Sequence, residues 1–251
     1  MSEKTRETAV AYRVHPTVQW VEGVETLPPL ESGDRLSRAE FERRYEAMPH
    51  LKKAELIEGV VYVGSPVLIP THAQPHARMV TILGTFVFAT PGIDFADNGS
   101  IRIDEDDNEP QPDVFLWIDV PGKGQAYVDD EGYLVGAPEL AIEVAASSAS
   151  YDLHDKLEMY RHNGVQEYGV WRTYQGKFDW FRLEGDEYQR VTPDEKGIIA
   201  STTFPGLWLN VQALIAGNLA AVMADLQVGL QSDEHRQFVE WLASDDDKPG
   251  E

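Results

Sequence analysis

Apolar residues recur along this chain in short bursts, and the spacing inside each burst predicts its element. Leu36, Phe41 and Tyr45 give an apolar side to a helix over 38–46, with Ser37 and Glu40 as the Ser-x-x-Glu pair of a capping box. Residues 54–63 (AELIEGVVYV) are β-branched and aromatic around Gly59, which predicts a strand, a turn or bulge, and a second strand. Residues 64–75 carry Pro66, Pro70 and Pro75 and read as a loop. From His76 to Ala89, the positions of Met79, Val80, Leu83, Val87 and Phe88 come close to helical spacing, and Pro91-Gly92 ends the run.

The second half starts with short strands. Ile101 and Ile103 alternate with polar neighbours. Residues 113–120 (DVFLWIDV) and 140–145 (LAIEVA) are almost wholly apolar, the pattern of strands buried on both faces. A helix over 151–162, capped from 147–150, places Leu153, Leu157 and Tyr160 on one face and Asp152 with Lys156 on another. Asn163-Gly164 stops it. Residues 167–172 predict a strand, 179–183 and 189–191 a hairpin about Glu184-Gly185-Asp186, and 206–209 a short apolar segment. Helices follow over 211–230 and 233–243. Strands mixed with a few helices, without internal repeats, indicate an α+β fold with a mixed sheet core flanked by helices and hairpins.

Composition narrows the class. The 251 residues suffice for one large domain or two small ones, and 42% hydrophobic with 25% charged residues is ordinary for a soluble globular protein. No apolar run approaches the roughly 20 residues of a membrane helix, and the mixed charges of the first residues do not form a signal peptide. Cysteine is absent, which excludes disulfides and thiolate chemistry and fits a reducing cytoplasm. The net charge of −22 argues against broad attachment to nucleic acid. The acidity is uneven, with patches at Asp104–Asp107 and Asp245–Asp247. A local basic surface around Arg43, Arg44, Lys52 and Lys53 remains compatible with it.

Two carboxylates stand where apolar residues are expected. Glu143 interrupts one buried strand and Asp113 opens the other, after Pro112. A buried ionised carboxylate is costly unless paired or bound to a metal. If the strands are neighbours, both acids can serve one Mg²⁺, which takes oxygen ligands and activates water for attack on phosphorus. Each residue also has a plainer reading. Asp113 can be a turn or cap residue, Glu143 can face solvent on an edge strand, and Asp152 with Lys156 can be a surface ion pair. His76 can be a first-turn residue without a role. Pro75 between His72 and His76 argues against a helical His pair for zinc. Tyr160, Tyr168 and Trp171 read as core aromatics. Nothing matches a Gly-rich phosphate loop, a Gly-x-Ser-x-Gly elbow or a dinucleotide fingerprint.

The order of several motifs resembles the Uma2 family (DUF820) of endonucleases in the PD-(D/E)XK superfamily. They are Glu55-Leu-Ile-Glu58-Gly59, Gln111-Pro-Asp113-Val, Pro138-Glu-Leu-Ala-Ile-Glu143-Val, Asp152-Leu-His-Asp-Lys156-Leu-Glu-Met-Tyr160, Gly164-Val-Gln-Glu-Tyr168-Gly-Val-Trp171 and Phe204-Pro-Gly-Leu207. The resemblance implies a restriction-endonuclease-like domain over 35–215, between an N-terminal arm (1–34) and a C-terminal helical extension with an acidic tail (216–251). It implies Asp113, Glu143 and Glu55 as ligands of Mg²⁺ or Mn²⁺, with Glu55 favoured over Glu58 by the family pattern, and DNA as substrate. The superfamily lysine falls two residues after the acid, where this chain has Ala145. The resemblance transfers that role to Lys156, with Asp152 orienting it and His76 near the scissile phosphate. The alternative is a catalytically silent interaction module. The apolar positions Leu214, Leu219, Val222, Met223, Leu226, Leu230, Phe238 and Leu242 would then dock on the domain itself or pair two chains as a homodimer.

Overall fold

The computed structural model describes residues 27–64, 67–105, 107–146 and 148–244. Most of the predicted N-terminal arm, Asp106, Ser147 and the Asp245–Asp247 run lie outside the described residues. The chain begins with α1 (Arg38–Glu46), β1 (Ala54–Ile57), β2 (Val60–Val63), a π-helical turn (Ile69–Ala73) and α2 (Gln74–Phe88). Then come β3 (Ile93–Ala96), β4 (Ile101–Arg102), β5 (Val114–Ile118), β6 (Tyr127–Val128), β7 (Leu134–Val135), β8 (Leu140–Ala145), α3 (Ala149–Asp152) and α4 (Asp155–His162). The last part holds β9 (Glu167–Arg172), β10 (Lys177–Glu184), β11 (Glu187–Val191), β12 (Ile198–Ala200), β13 (Trp208–Asn210), α5 (Val211–Ile215), α6 (Leu219–Leu230) and α7 (Asp233–Ala243).

The main sheet has six strands in the order β11-β10-β9-β8-β5-β3. Only β8 and β9 run parallel in it, so the sheet is mixed, and α3 with α4 forms the crossover that a parallel pair requires. Strands β5 and β8 are buried at every position, as their unbroken apolar sequences require. Two-residue alternation sorts their side chains. Val114, Leu116, Ile118, Leu140 and Ile142 join α2, α6 and α7 in one core, while Phe115, Trp117, Ala141 and Ala145 join Tyr160 and Tyr168 in another. A third cluster seats α1 against the β1–β2 hairpin. Glu58 and Gly59 both take positive φ at the hairpin turn (50° and 71°), the geometry of a two-residue primed turn.

Several expectations are corrected. Residues 69–75 are helical rather than loop, because Pro75 sits in the first turn of α2, where its missing N–H costs nothing. The helix expected over 151–162 breaks at Leu153–His154. Tyr168 Oη donates to the Asp152 carbonyl at 2.9 Å, taking the acceptor that Lys156 N–H would use in a continuous helix. The helix over 211–230 divides likewise, with Gly217 at φ 75° and Asn218 capping α6 through Ala221 N–H. Ser37 makes no side-chain cap, and Glu40 instead binds Arg43 and Arg44. Glu40 thereby offsets part of the positive charge those two arginines bring to that surface.

The C-terminal helices complete the first core. Leu214, Val222, Leu226, Phe238 and Leu242 are buried in it, and Leu219, Met223 and Leu230 pack against it. Among the described residues no helix is long and apolar enough to cross a membrane. Phe238 is 5% exposed, so Phe238→Ala should destabilise the whole fold by about 3–5 kcal/mol. An unchanged melting temperature would show that α7 does not share the core.

Glu109 bridges its main chain to Leu56 while its carboxyl lies buried beside Glu42. Burial, and then the Glu42 charge, push its pKa up to about 8. The folded state therefore holds a proton there that the unfolded chain loses above its ordinary value near 4.5, and stability falls as pH rises through that window. Glu109→Gln should gain melting temperature over the native chain at pH 8 and little at pH 5. A pH-independent difference would contradict this account.

Candidate active site

The antiparallel register pairs Val114 with Ile142, so the residues one step outward, Asp113 and Glu143, meet at one end of β5 and β8. They lie on the face that carries α4. Strand β1 crosses that end and delivers Glu55, and the first turn of α4 delivers Lys156. Lys156 Nζ lies 2.7 Å from Glu55 Oε1 and 2.7 Å from Glu143 Oε1, and the lysine side chain is 2% exposed. Glu55 Oε1 also accepts Gln111 N–H at 2.8 Å, which anchors the Gln-Pro-Asp segment. Tyr160 Oη lies 3.4 Å from Glu143 Oε1, and the Tyr151 ring lies 5.4 Å from the ammonium.

Asp113 is held by a different set. Its Oδ2 accepts Val144 N–H at 2.7 Å and faces His72 Nε2 at 3.2 Å, and its Oδ1 faces Lys53 Nζ at 3.1 Å. His76 Nε2 donates to the Asp113 carbonyl at 2.8 Å, so its placement is on the main chain of the acid. The π-helical turn, steadied by Thr173 Oγ1 on the Thr71 carbonyl at 2.7 Å, aims His72 at Asp113. Glu55, Asp113, Glu143, Asp152, Lys156 and His76 all line one cavity of about 610 Å³, together with Lys53 and His72. Glu58 stays in the exposed hairpin turn.

The electrostatics of this cavity are unbalanced. Glu55, Asp113, Glu143 and Asp152 face the ammonium groups of Lys53 and Lys156. Burial raises the Asp113 carboxyl, but Lys53, His72 and Val144 N–H outweigh it and hold the group below the usual carboxylate range. Burial pushes Glu143 up to about 8 despite the opposing pull of Lys156, and it pushes Asp152 up to about 6. Burial also opposes the Lys156 charge, yet Glu143 and Glu55 hold its pKa well above the ordinary value. Asp152 Oδ2 is buried without a hydrogen-bond partner. Among the described residues Asp152 makes no direct ion pair with Lys156, but its charge helps to hold the ammonium protonated from across the helix break.

Among the described residues no three His, Asp or Glu groups stand close enough to ligate an ion as they are. The donor set nevertheless suits a hard cation. It is oxygen-rich and carries surplus buried negative charge, and Asp113 and Glu143 are two carboxylates of the kind Mg²⁺ uses while keeping several waters. Lys53 and His72 went unrecognised in the sequence, the first as a surface charge and the second because Pro75 suggested a loop. The detectable signal for Lys53 was its position two residues before Glu55, which puts both on one side of an extended chain.

Residues 38–212 match Uma2, described as putative restriction endonuclease. The chain belongs to the Uma2 family. The crystal structure of a putative nuclease belonging to DUF820 from Anabaena variabilis superposes with a TM-score of 0.52 at 15% identity, covering 69% of this chain and 96% of that one. That likeness establishes a shared fold. Among curated proteins none matches the chain.

The Lys156 clamp gives a direct test. Lys156→Met removes the partner of two buried carboxylates and should cost about 3–5 kcal/mol. The loss should be larger at pH 8 than at pH 5, because protonated Glu143 tolerates burial better. Thermal melts at both pH values measure it, and an equal loss at the two would contradict the clamp.

Proposed function

We propose that this Uma2 protein is a metal-dependent endonuclease that hydrolyses DNA phosphodiester bonds with Mg²⁺ or Mn²⁺. The observation that carries the reading is the convergence of Asp113 and Glu143 at adjoining strand ends in an open cavity with surplus negative charge. These two acids would hold the ion, with Glu55 in support through Lys156. A bound divalent ion supplies charge neutralisation at phosphorus and a more acidic water. The chain's own residues do the rest. Val144 N–H and the His76 contact fix the Asp113 carboxylate and its main chain. The Lys156 ammonium opposes, without overcoming, the burial that pushes the Glu143 pKa up to about 8.

The net charge of −22 repels duplex backbone, so a divalent salt serves both as ligand and as screen. Purified protein should nick plasmid or single-stranded circular DNA in Mg²⁺ or Mn²⁺ and lose this activity in EDTA. Asp113→Asn should lower cleavage by more than the roughly 100-fold typical of outer-shell substitutions. No cleavage of either substrate with either metal would defeat the reading.

A second reading, a silent interaction module, draws on Ala145 and on the engagement of Lys156 by both of its carboxylates. The C-terminal helices are already committed to the core, so a homodimer would use another surface. On this reading DNA stays intact even when the protein binds Mn²⁺.

A further inference from the structure

The following inference rests on the metal-dependent reading above. Asp113 has two carboxylate oxygens and three donors. The Val144 N–H belongs to a buried strand and is fixed. His72 is carried by the π-helical turn that Thr173 braces, whereas Lys53 reaches Asp113 on a flexible stem: its side chain is 28% exposed, it precedes β1 by one residue, and its other contact, Asn98 Oδ1, is long at 3.4 Å. Lys156, by contrast, is 2% exposed and clasped at 2.7 Å by two carboxylates. An ammonium so enclosed does not follow a substrate. Ala145, two residues after Glu143 on β8, is fully buried and offers no cation. Lys53 is therefore the cavity's accessible ammonium among the described lining residues.

We propose that Lys53 holds the place of the divalent cation on Asp113 and, once displaced, turns its ammonium toward the substrate phosphate. Like charges a few ångströms apart in a half-buried site repel strongly, so the ion and the ammonium compete for the same oxygen. The four-carbon stem lets the ammonium withdraw without moving the backbone. The cavity of about 610 Å³ leaves room for that movement. Resting protein then keeps Asp113 paired, and loaded protein gains a phosphate contact at the moment the ion arrives.

The test uses Mn²⁺ alone, titrated calorimetrically into full-length native protein, Lys53→Met and the Lys53→Met/Asp113→Asn double variant, without DNA. Lys53→Met should bind Mn²⁺ about 10-fold more tightly, and the added Asp113→Asn should abolish the gain. Equal or weaker Mn²⁺ binding by Lys53→Met overturns the competition. Lys53→Gln provides the same comparison if the Met variant does not fold. A second arm measures a labelled single-stranded oligonucleotide by anisotropy in Ca²⁺. Lys53→Met should weaken it and reduce the salt slope by about one, and Lys53→Arg should restore the slope. An unchanged or undetectable oligonucleotide affinity overturns the phosphate contact. Absence of Mn²⁺ binding by every variant overturns this proposal and the metal reading together. Tighter Mn²⁺ binding by Lys53→Met, without DNA cleavage by the native chain, defeats the nuclease reading alone.

Discussion

One buried ammonium organises this site. Lys156 ties Glu55 of β1 to Glu143 of β8 from the first turn of α4, and Glu55 in turn holds Gln111 N–H in the segment that leads to Asp113. Three elements and one connecting segment are thereby fixed relative to one another. Exposed pairs of this kind contribute little, but removing one partner from a dry site leaves an uncompensated charge. The clamp sets positions more than it adds net stability.

The molecule contains other buried carboxylates, and their surroundings differ from those of the cavity acids. Glu139 accepts the N–H groups of Ile118 and Gln125, Glu167 takes Ser201, Thr202 and Arg182, and Asp179 takes Arg172 and Arg190. Those acids staple loops and strand ends, away from the cavity. Asp113, Glu143 and Asp152 line an open cavity and carry strongly shifted titration, in opposite directions.

The sequence made some of this legible. Strands β8 and β9 match their expected bounds because continuous apolar runs admit few alternatives, and Glu143 was visible as the one carboxylate inside such a run. The reach of Lys156 back to the strand was legible too, since one turn of helix sets it. The break between α3 and α4 was not, because it depends on Tyr168, which contacts Asp152 only after β9 docks. His72 was hidden by a proline that reads as a breaker yet sits in a helix's first turn. Lys53 was hidden by its neighbour Lys52, since two adjacent lysines suggest a solvated surface. Glu139 and Glu143 share a strand region, and only tertiary partners distinguish staple from site.

The proposed divalent cation would sit in this cavity between Asp113 and Glu143. Anomalous diffraction from crystals grown with Mn²⁺ tests it most directly. A single strong peak within ligand distance of both carboxylates is expected, with Lys53 withdrawn from Asp113. Well-ordered crystals that show Lys53 still on Asp113, and no peak in the cavity at saturating Mn²⁺, would contradict it.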